Sequence, residues 1–238
     1  MSTGIHVLRK SALHLIYFLY ELYIAFALSK ARRTSRMWNM QPLFAQNLLF
    51  RNVLLAGYVI WAVMEVILGI RQLTRLRAGA QLQDKGSRAV IAVTVGLGIV
   101  LCLQLPRVVP ATTITRASVF VFWFGIVLVY AGLAFRLYAI TVLGRYFTPS
   151  VAVVADQQVV EDGPYKLIRH PAYTGLLIMF LGFGLSSTNW LSLLALMGCA
   201  LIGLSYCIHV EERVLQEHLG QRYQEYMRRT KRLIPFVL

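Results

Sequence analysis

E-D-G-P-Y-K-L-I-R-H-P-A-Y-T-G, residues Glu161 to Gly175, is the stretch on which the reading of this chain turns. It is polar and turn-rich, and apolar runs flank it on both sides. A proline pushes the residue before it out of the α region, so Gly163-Pro164 and His170-Pro171 each break the backbone. Pro171 then suits the first position of a helix. The free N–H groups of that helix start lie beside Arg169 and His170, a setting suited to an anion. On local physics alone, an ordinary basic loop between two membrane helices reads equally well.

Of the 238 residues, 58% are hydrophobic and only 14% charged, and the mean hydropathy is +0.62. Soluble domains carry about 25% charged residues, so this composition implies an integral membrane protein. The net charge of +14 then reads as loops that face anionic membrane lipids and set orientation. The basic residues are scattered among apolar runs and form no continuous face, which argues against a nucleic-acid partner. Cys102, Cys199 and Cys207 all fall in apolar runs without a Cys-x-x-Cys pair. That pattern points to small core hydrophobes, with no disulfide and no metal site.

Taken in order, apolar runs at residues 11–29, 47–70, 89–105, 117–143, 172–187 and 190–208 are each read as a membrane span. The first lacks a small-residue cleavage site and reads as a retained span, with Glu21 in its middle facing other helices. Arg51 and Glu65 lie toward the ends of the second and are expected to snorkel. Gly96 and Gly98 match a nucleotide loop only weakly and suit close helix packing better. Arg136 has two readings, a cation that snorkels to the nearby loop or one that faces a site. Thr188-Asn189 makes a tight hairpin of the last two runs. The expected fold is all-α and polytopic, with about six transmembrane helices and a C-terminal amphipathic helix over residues 209–229. Lys and Arg are heavier on the segments that share a side with the central loop and both termini, placing these in the cytoplasm.

In the tail, at 100° per residue, Glu212, Leu215, Leu219, Tyr223 and Tyr226 share one face within about 80°. Glu212 therefore sits in an inward stripe, where a carboxylate needs a cation or several donors. Arg169, His170 or the ammonium group of a ligand would serve. A surface helix with Glu212 at the interface is the plainer alternative.

The motifs L-G-R-Y-F (Leu143 to Phe147), G-P-Y-K-L-I-R-H-P-A-Y-T-G (Gly163 to Gly175), E-E-R-V-L (Glu211 to Leu215), G-Q-R-Y-Q-E-Y-M-R-R (Gly220 to Arg229) and I-P-F (Ile234 to Phe236) together resemble the isoprenylcysteine carboxyl methyltransferase family, within the wider group that includes membrane phospholipid methyltransferases. The resemblance covers the chain from about Tyr138 onward. It implies a catalytic core over residues 117–238 and N-terminal helices with basic loops over residues 1–116. It also implies S-adenosyl-L-methionine as methyl donor and a lipophilic acceptor that enters from the bilayer. Carried over by motif position, Tyr165, Arg169, His170, Pro171 and Tyr173 line the cofactor pocket. Glu212, with Glu211, meets the amino-acid end, and Tyr226 and Arg229 close the pocket. Arg169, Glu211 and Glu212 are the catalytic candidates, and no metal is implied.

One departure bears on the acceptor. Eukaryotic members resemble one another in an arginine about one turn before the glutamate pair, where this chain reads Ser205-Tyr206-Cys207-Ile208-His209. That leaves amine, thiol and phenol acceptors open beside a carboxylate, with His209 or Glu211 as general base. Membrane sterol-type reductases that use NADPH look similar in their last third, and a non-catalytic membrane scaffold is the third alternative.

Overall fold

In a bilayer only a helix satisfies every backbone group within its own segment, so long apolar runs fold as helices. The computed structural model describes residues 42–77, 81–82, 86–148, 152–153 and 157–233, all within the unit Gln41–Leu238. The expected first span and Glu21 lie outside the described residues. The order is α1 (Leu43–Gln46), α2 (Leu48–Arg77), β1 (Gln81–Leu82), α3 (Ser87–Val108), α4 (Ser118–Leu143), β2 (Ala152–Val153), α5 (Pro171–Ser186), α6 (Trp190–Leu219) and α7 (Gln221–Arg229). Four stretches, Leu48–Gln72, Ser87–Val108, Ser118–Tyr146 and Trp190–Leu219, are long and apolar enough to cross a membrane, and α5 is an apolar helix of 16 residues. The chain is an all-α, polytopic integral membrane protein. Its described strand content is a two-residue antiparallel pairing, Gln81 with Val153 and Leu82 with Ala152.

Two helix pairs carry most of the packing, α4 on α5 and α3 on α6. Gly125 and Gly132 of α4 meet Gly182 and Gly175 of α5 backbone to backbone, the close approach that small residues permit between membrane helices. Phe122, Met179, Phe180 and Phe183 fill the core around this seam. At the far end of the hairpin, Thr188 takes φ 51°. The Asn189 side chain caps α6 by accepting from the Ser192 N–H at 3.0 Å, the satisfaction a helix start needs. Its amide also donates to Thr112 Oγ1 at 2.8 Å, fastening the turn to the preceding loop.

The structure differs from the sequence reading in three places. The polar tail is no separate helix, because α6 runs unbroken from Trp190 to Leu219, and Gly220 at φ 55° then turns the chain into α7. The third apolar run does not end at residue 105, because α3 continues to Val108 with Pro106 inside it. Arg136 and Glu65 do not snorkel: Arg136 is 5% exposed and pairs with Glu65 at 2.7 Å. Of the two glycines in α3, Gly98 packs closely on Cys199 and Leu196, whereas Gly96 borders open space.

Candidate active site

The broken stretch around Gly163 and Pro171 builds the site. Gly163 enters a 3₁₀ turn, Gly163–Lys166, at φ 54°, and this turn sets Tyr165 inward. The chain then runs extended beside its own C-terminal segment. Arg169 N–H donates to Lys231 O at 2.7 Å, His170 N–H to Arg232 O at 3.0 Å, and Lys231 N–H to Leu167 O at 3.1 Å. The Thr174 hydroxyl adds a bond to Leu233 O at 2.7 Å. Residues 231–233 thus form a strap along the segment that holds Arg169 and His170, just ahead of the start of α5 at Pro171.

Glu212 is the hub of this arrangement. Its Oε1 accepts from Arg169 Nε at 2.9 Å and lies 3.3 Å from His170 Nε2. Its Oε2 accepts from Arg232 Nε at 3.1 Å and Nη2 at 2.9 Å. Only 3% of Glu212 is exposed. Arg169 Nη1 reaches past it to the Met227 carbonyl at 3.0 Å and to the Thr230 carbonyl. One carboxylate therefore joins α6, the residues leading into α5, and the strap. Such charge-assisted bonds are the strong class.

Beside the hub lies an open cleft of about 840 Å³ of empty space, part of it open solvent. Val159, Val160, Val214, Leu215 and Leu219 supply apolar wall, and Arg169, His170, Tyr173, Glu211, Tyr223 and Tyr226 supply polar groups. The Glu211 side chain is 31% exposed, with His170 Nδ1 at 3.9 Å and the Tyr173 phenol bonded to it. Burial first, and then the charge of Glu211, push the Tyr165 and Tyr223 phenols well above their ordinary range. Both stay neutral near pH 7 and can donate hydrogen bonds.

Of the residues proposed from sequence, Tyr165, Arg169, His170, Tyr173, Glu211 and Tyr226 line the cleft. Glu212 lies behind its wall, held by three protein side chains. Pro171 occupies the first helical position of α5. Arg229 is exposed and pairs with Glu161 at 3.2 Å, away from the lining. His209 is exposed on α6 and is not among the lining residues. Three contributors went unforeseen. Arg232 and its strap carry no periodicity, and the wall at residues 157–160 is loop. Tyr146 and Phe147, also in the lining, stand in the L-G-R-Y-F motif, from which no single role follows.

Tyr226 is a lock between elements. Its hydroxyl donates to the Tyr165 carbonyl at 2.8 Å, tying α7 to the 3₁₀ turn. Tyr226→Phe is expected to cost about 1–2 kcal/mol by leaving that buried carbonyl unsatisfied. Thermal unfolding in detergent checks it.

Comparison with known proteins follows the same residues. The phospholipid methyltransferase family profile matches residues 120–222. The probable protein-S-isoprenylcysteine O-methyltransferase of Oryza sativa subsp. indica is 32% identical over 120 residues, 50% of this chain and 63% of that protein. Protein-S-isoprenylcysteine O-methyltransferase B of Arabidopsis thaliana is 31% identical over 116 residues, 48% of this chain and 59% of that protein. The C-terminal half of this chain is similar to these isoprenylcysteine methyltransferases. The chain spans about three-fifths of the length of these relatives. The solved structure of a eukaryotic intramembrane Ras methyltransferase, an isoprenylcysteine carboxyl methyltransferase, shares the fold at a TM-score of 0.51 and 23% identity, over 66% of this chain and 55% of that one. The region that matches the phospholipid methyltransferase profile holds the start of α5 and the glutamate pair of α6, which meet at the cleft.

Proposed function

We propose that this protein is an S-adenosylmethionine-dependent methyltransferase that methylates the carboxylate of an S-isoprenylcysteine at the membrane surface. The observation that carries the reading is the division of labour between two adjacent carboxylates. Glu212 is saturated by Arg169, His170 and Arg232, whereas Glu211 stands partly exposed in the cleft wall, with the Tyr173 phenol bonded to it and His170 at 3.9 Å. A carboxylate left available there suits the ammonium end of the cofactor. The apolar wall suits its adenine ring and methylene chain, and the neutral phenols offer donors. The donor set of the cleft therefore fits the group.

When bound, S-adenosylmethionine supplies a methyl group on a positively charged sulfur. The chain's own residues then have four tasks. Glu211 holds the cationic end, and the Arg169–Glu212 hub fixes the backbone from which His170 and Tyr173 project. The valines and leucines of the wall keep water away, which strengthens electrostatic interactions inside. The hub and the strap preserve alignment, the principal lever where the cofactor carries the chemistry. A cysteine α-carboxylate has a pKa of about 3.3–3.7, so it is ionised at neutral pH and needs no general base. The exposed position of His209 is consistent with that. The bias of Lys and Arg supports a cleft on the cytoplasmic side.

Calorimetry on the detergent-purified protein tests the reading. S-adenosylmethionine is expected to bind, and Glu211→Gln to weaken it about tenfold, the worth of one charge-assisted bond. His170→Ala is expected to weaken it as well. Binding of NADPH in place of S-adenosylmethionine, or of neither, would refute the assignment.

A further inference from the structure

The helix α5 is 16 residues long, about 24 Å at 1.5 Å per residue, against a hydrocarbon layer of about 30 Å. A helix this short leaves the residues just ahead of Pro171 at the level of the lipid headgroups. The strap lies beside those residues, because Lys231 N–H donates to Leu167 O at 3.1 Å and Ile168 pairs in parallel with Lys231. Arg169 brings the end of α7 to the same level by donating to the Met227 and Thr230 carbonyls. Lys166, Arg228, Lys231 and Arg232, all exposed, therefore share one edge of the molecule.

The carboxylates of this region do not neutralise that edge. Glu161 pairs with Arg229, and Glu212 with Arg169, His170 and Arg232. Lys166, Arg228 and Lys231 form no ion pair among the described residues. The acidic side chains nearest to them in sequence, Asp162 and Glu225, are exposed, and Glu225 accepts from Gln221 Nε2 at 2.9 Å. Arg232 turns Nε and Nη2 to Glu212, which leaves Nη1 for another acceptor. Like charges gathered on one edge repel one another, and an anion from outside relieves them. Leu167 stands among them with 52% of its surface exposed. Cations around an apolar contact are the pattern of a surface that meets anionic lipid. The C-terminal dipole of α7 also favours basic residues, but that accounts for Arg228 and Arg229 and not for Lys166 and Lys231.

We propose that Lys166, Arg228, Lys231 and Arg232, with Leu167 among them, dock on the headgroups of anionic phospholipids, and that the docked phosphates hold the strap against the segment leading into α5. The occupant is the bilayer and not a soluble anion, because the cations stand at headgroup level beside an exposed apolar side chain. Membrane charge is then a second support for the strap, beside the tie from Arg232 to Glu212. The proposal is independent of the reaction assigned to the cleft.

The experiment compares the full chain in nanodiscs of phosphatidylcholine alone and of phosphatidylcholine mixed with phosphatidylglycerol. Amide hydrogen exchange is read at Arg169, His170 and Lys231, whose N–H groups close the strap. Phosphatidylglycerol is expected to slow that exchange about fivefold or more, the worth of one cation at a charged membrane surface. A triple variant, Lys166→Gln with Arg228→Gln and Lys231→Gln, keeps the tie from Arg232 to Glu212. It should match the wild type in phosphatidylcholine and show no slowing with phosphatidylglycerol. Arg116→Gln, a charge lost just ahead of the opposite end of α4, should retain the slowing in full. Equal exchange of the wild type in both nanodiscs would overturn the proposal, as would slowing that survives in the triple variant. Inorganic phosphate or poly-glutamate that slows exchange as much in phosphatidylcholine alone would overturn it in favour of a soluble anion or an acidic protein. A triple variant that exchanges faster than the wild type in phosphatidylcholine would overturn it by assigning the three cations to the fold itself.

Discussion

Glu212→Ala is expected to lower stability by about 3–5 kcal/mol, the range for removing one partner of a buried charge pair. The cost comes less from the lost attraction than from what remains. Arg169, its side chain 8% exposed, would keep a buried guanidinium whose Nε has lost its acceptor, and His170 would lose its neighbour in the same place. The strap would lose its side-chain tie through Arg232, leaving only the backbone bonds at residues 231 and 232 and that of Thr174. Glu212→Gln preserves an acceptor oxygen and the volume, so it should cost less. Arg232→Ala sets the lower bound, because the Arg232 side chain is 53% exposed and water screens its contribution to about 1 kcal/mol or less. Thermal unfolding of the three variants in one detergent gives the ranking. A Glu212→Ala protein that melts with the wild type would mean that the hub does not hold the strap.

What the sequence disclosed, and what it concealed, divides along the same physical line. The start of α5 at Pro171 and the hairpin turn at Thr188-Asn189 were legible because proline, and the polar pair between two apolar runs, act locally. The demand of Glu212 for cations was legible because a carboxylate in an inward stripe must be compensated, and Arg169 and His170 were the available donors. The end of α6 was misread because composition marks where a helix leaves the apolar layer, not where its hydrogen bonding stops. Those bonds continue through His209 to Leu219, and Gly220 turns the chain. Glu65 is expected to snorkel, and Arg136 stays open between snorkelling and facing a site, because each is judged against its own span. Their pairing crosses 71 positions, a distance at which no pattern in either helix names the other. The strap was concealed for a related reason: its contacts are mostly backbone bonds, to which side-chain identity gives no signal.

Gly132→Ala is the second change expected to have a large effect, and it acts through geometry alone. A Cβ at Gly132 would lie 2.5 Å from Met179 N, 2.6 Å from Gly175 O and 2.9 Å from Met179 Cα. All three are backbone atoms of α5, so no side chain can rotate out of the way and the helices must separate. Overpacking in a close-packed interior costs about 1–3 kcal/mol, occasionally more, when side chains and backbone adjust. The upper part of that range is expected where only backbone can yield. The displacement would also reach the site, because Gly175 packs on the backbone of Arg136, which grips Ala172 at the cleft wall. S-adenosylmethionine affinity should therefore fall together with the unfolding temperature. Gly198→Ala supplies the control. It makes the same substitution within α6, where a Cβ would meet nothing within 4 Å. Alanine is the better helix former by about 1 kcal/mol, so Gly198→Ala should melt at or slightly above the wild-type temperature. Opposite signs for the two variants would assign the Gly132 effect to the α4–α5 contact. A loss shared by both would trace it to glycine in a helix as such, and the close approach of α4 and α5 would no longer explain how the site is held.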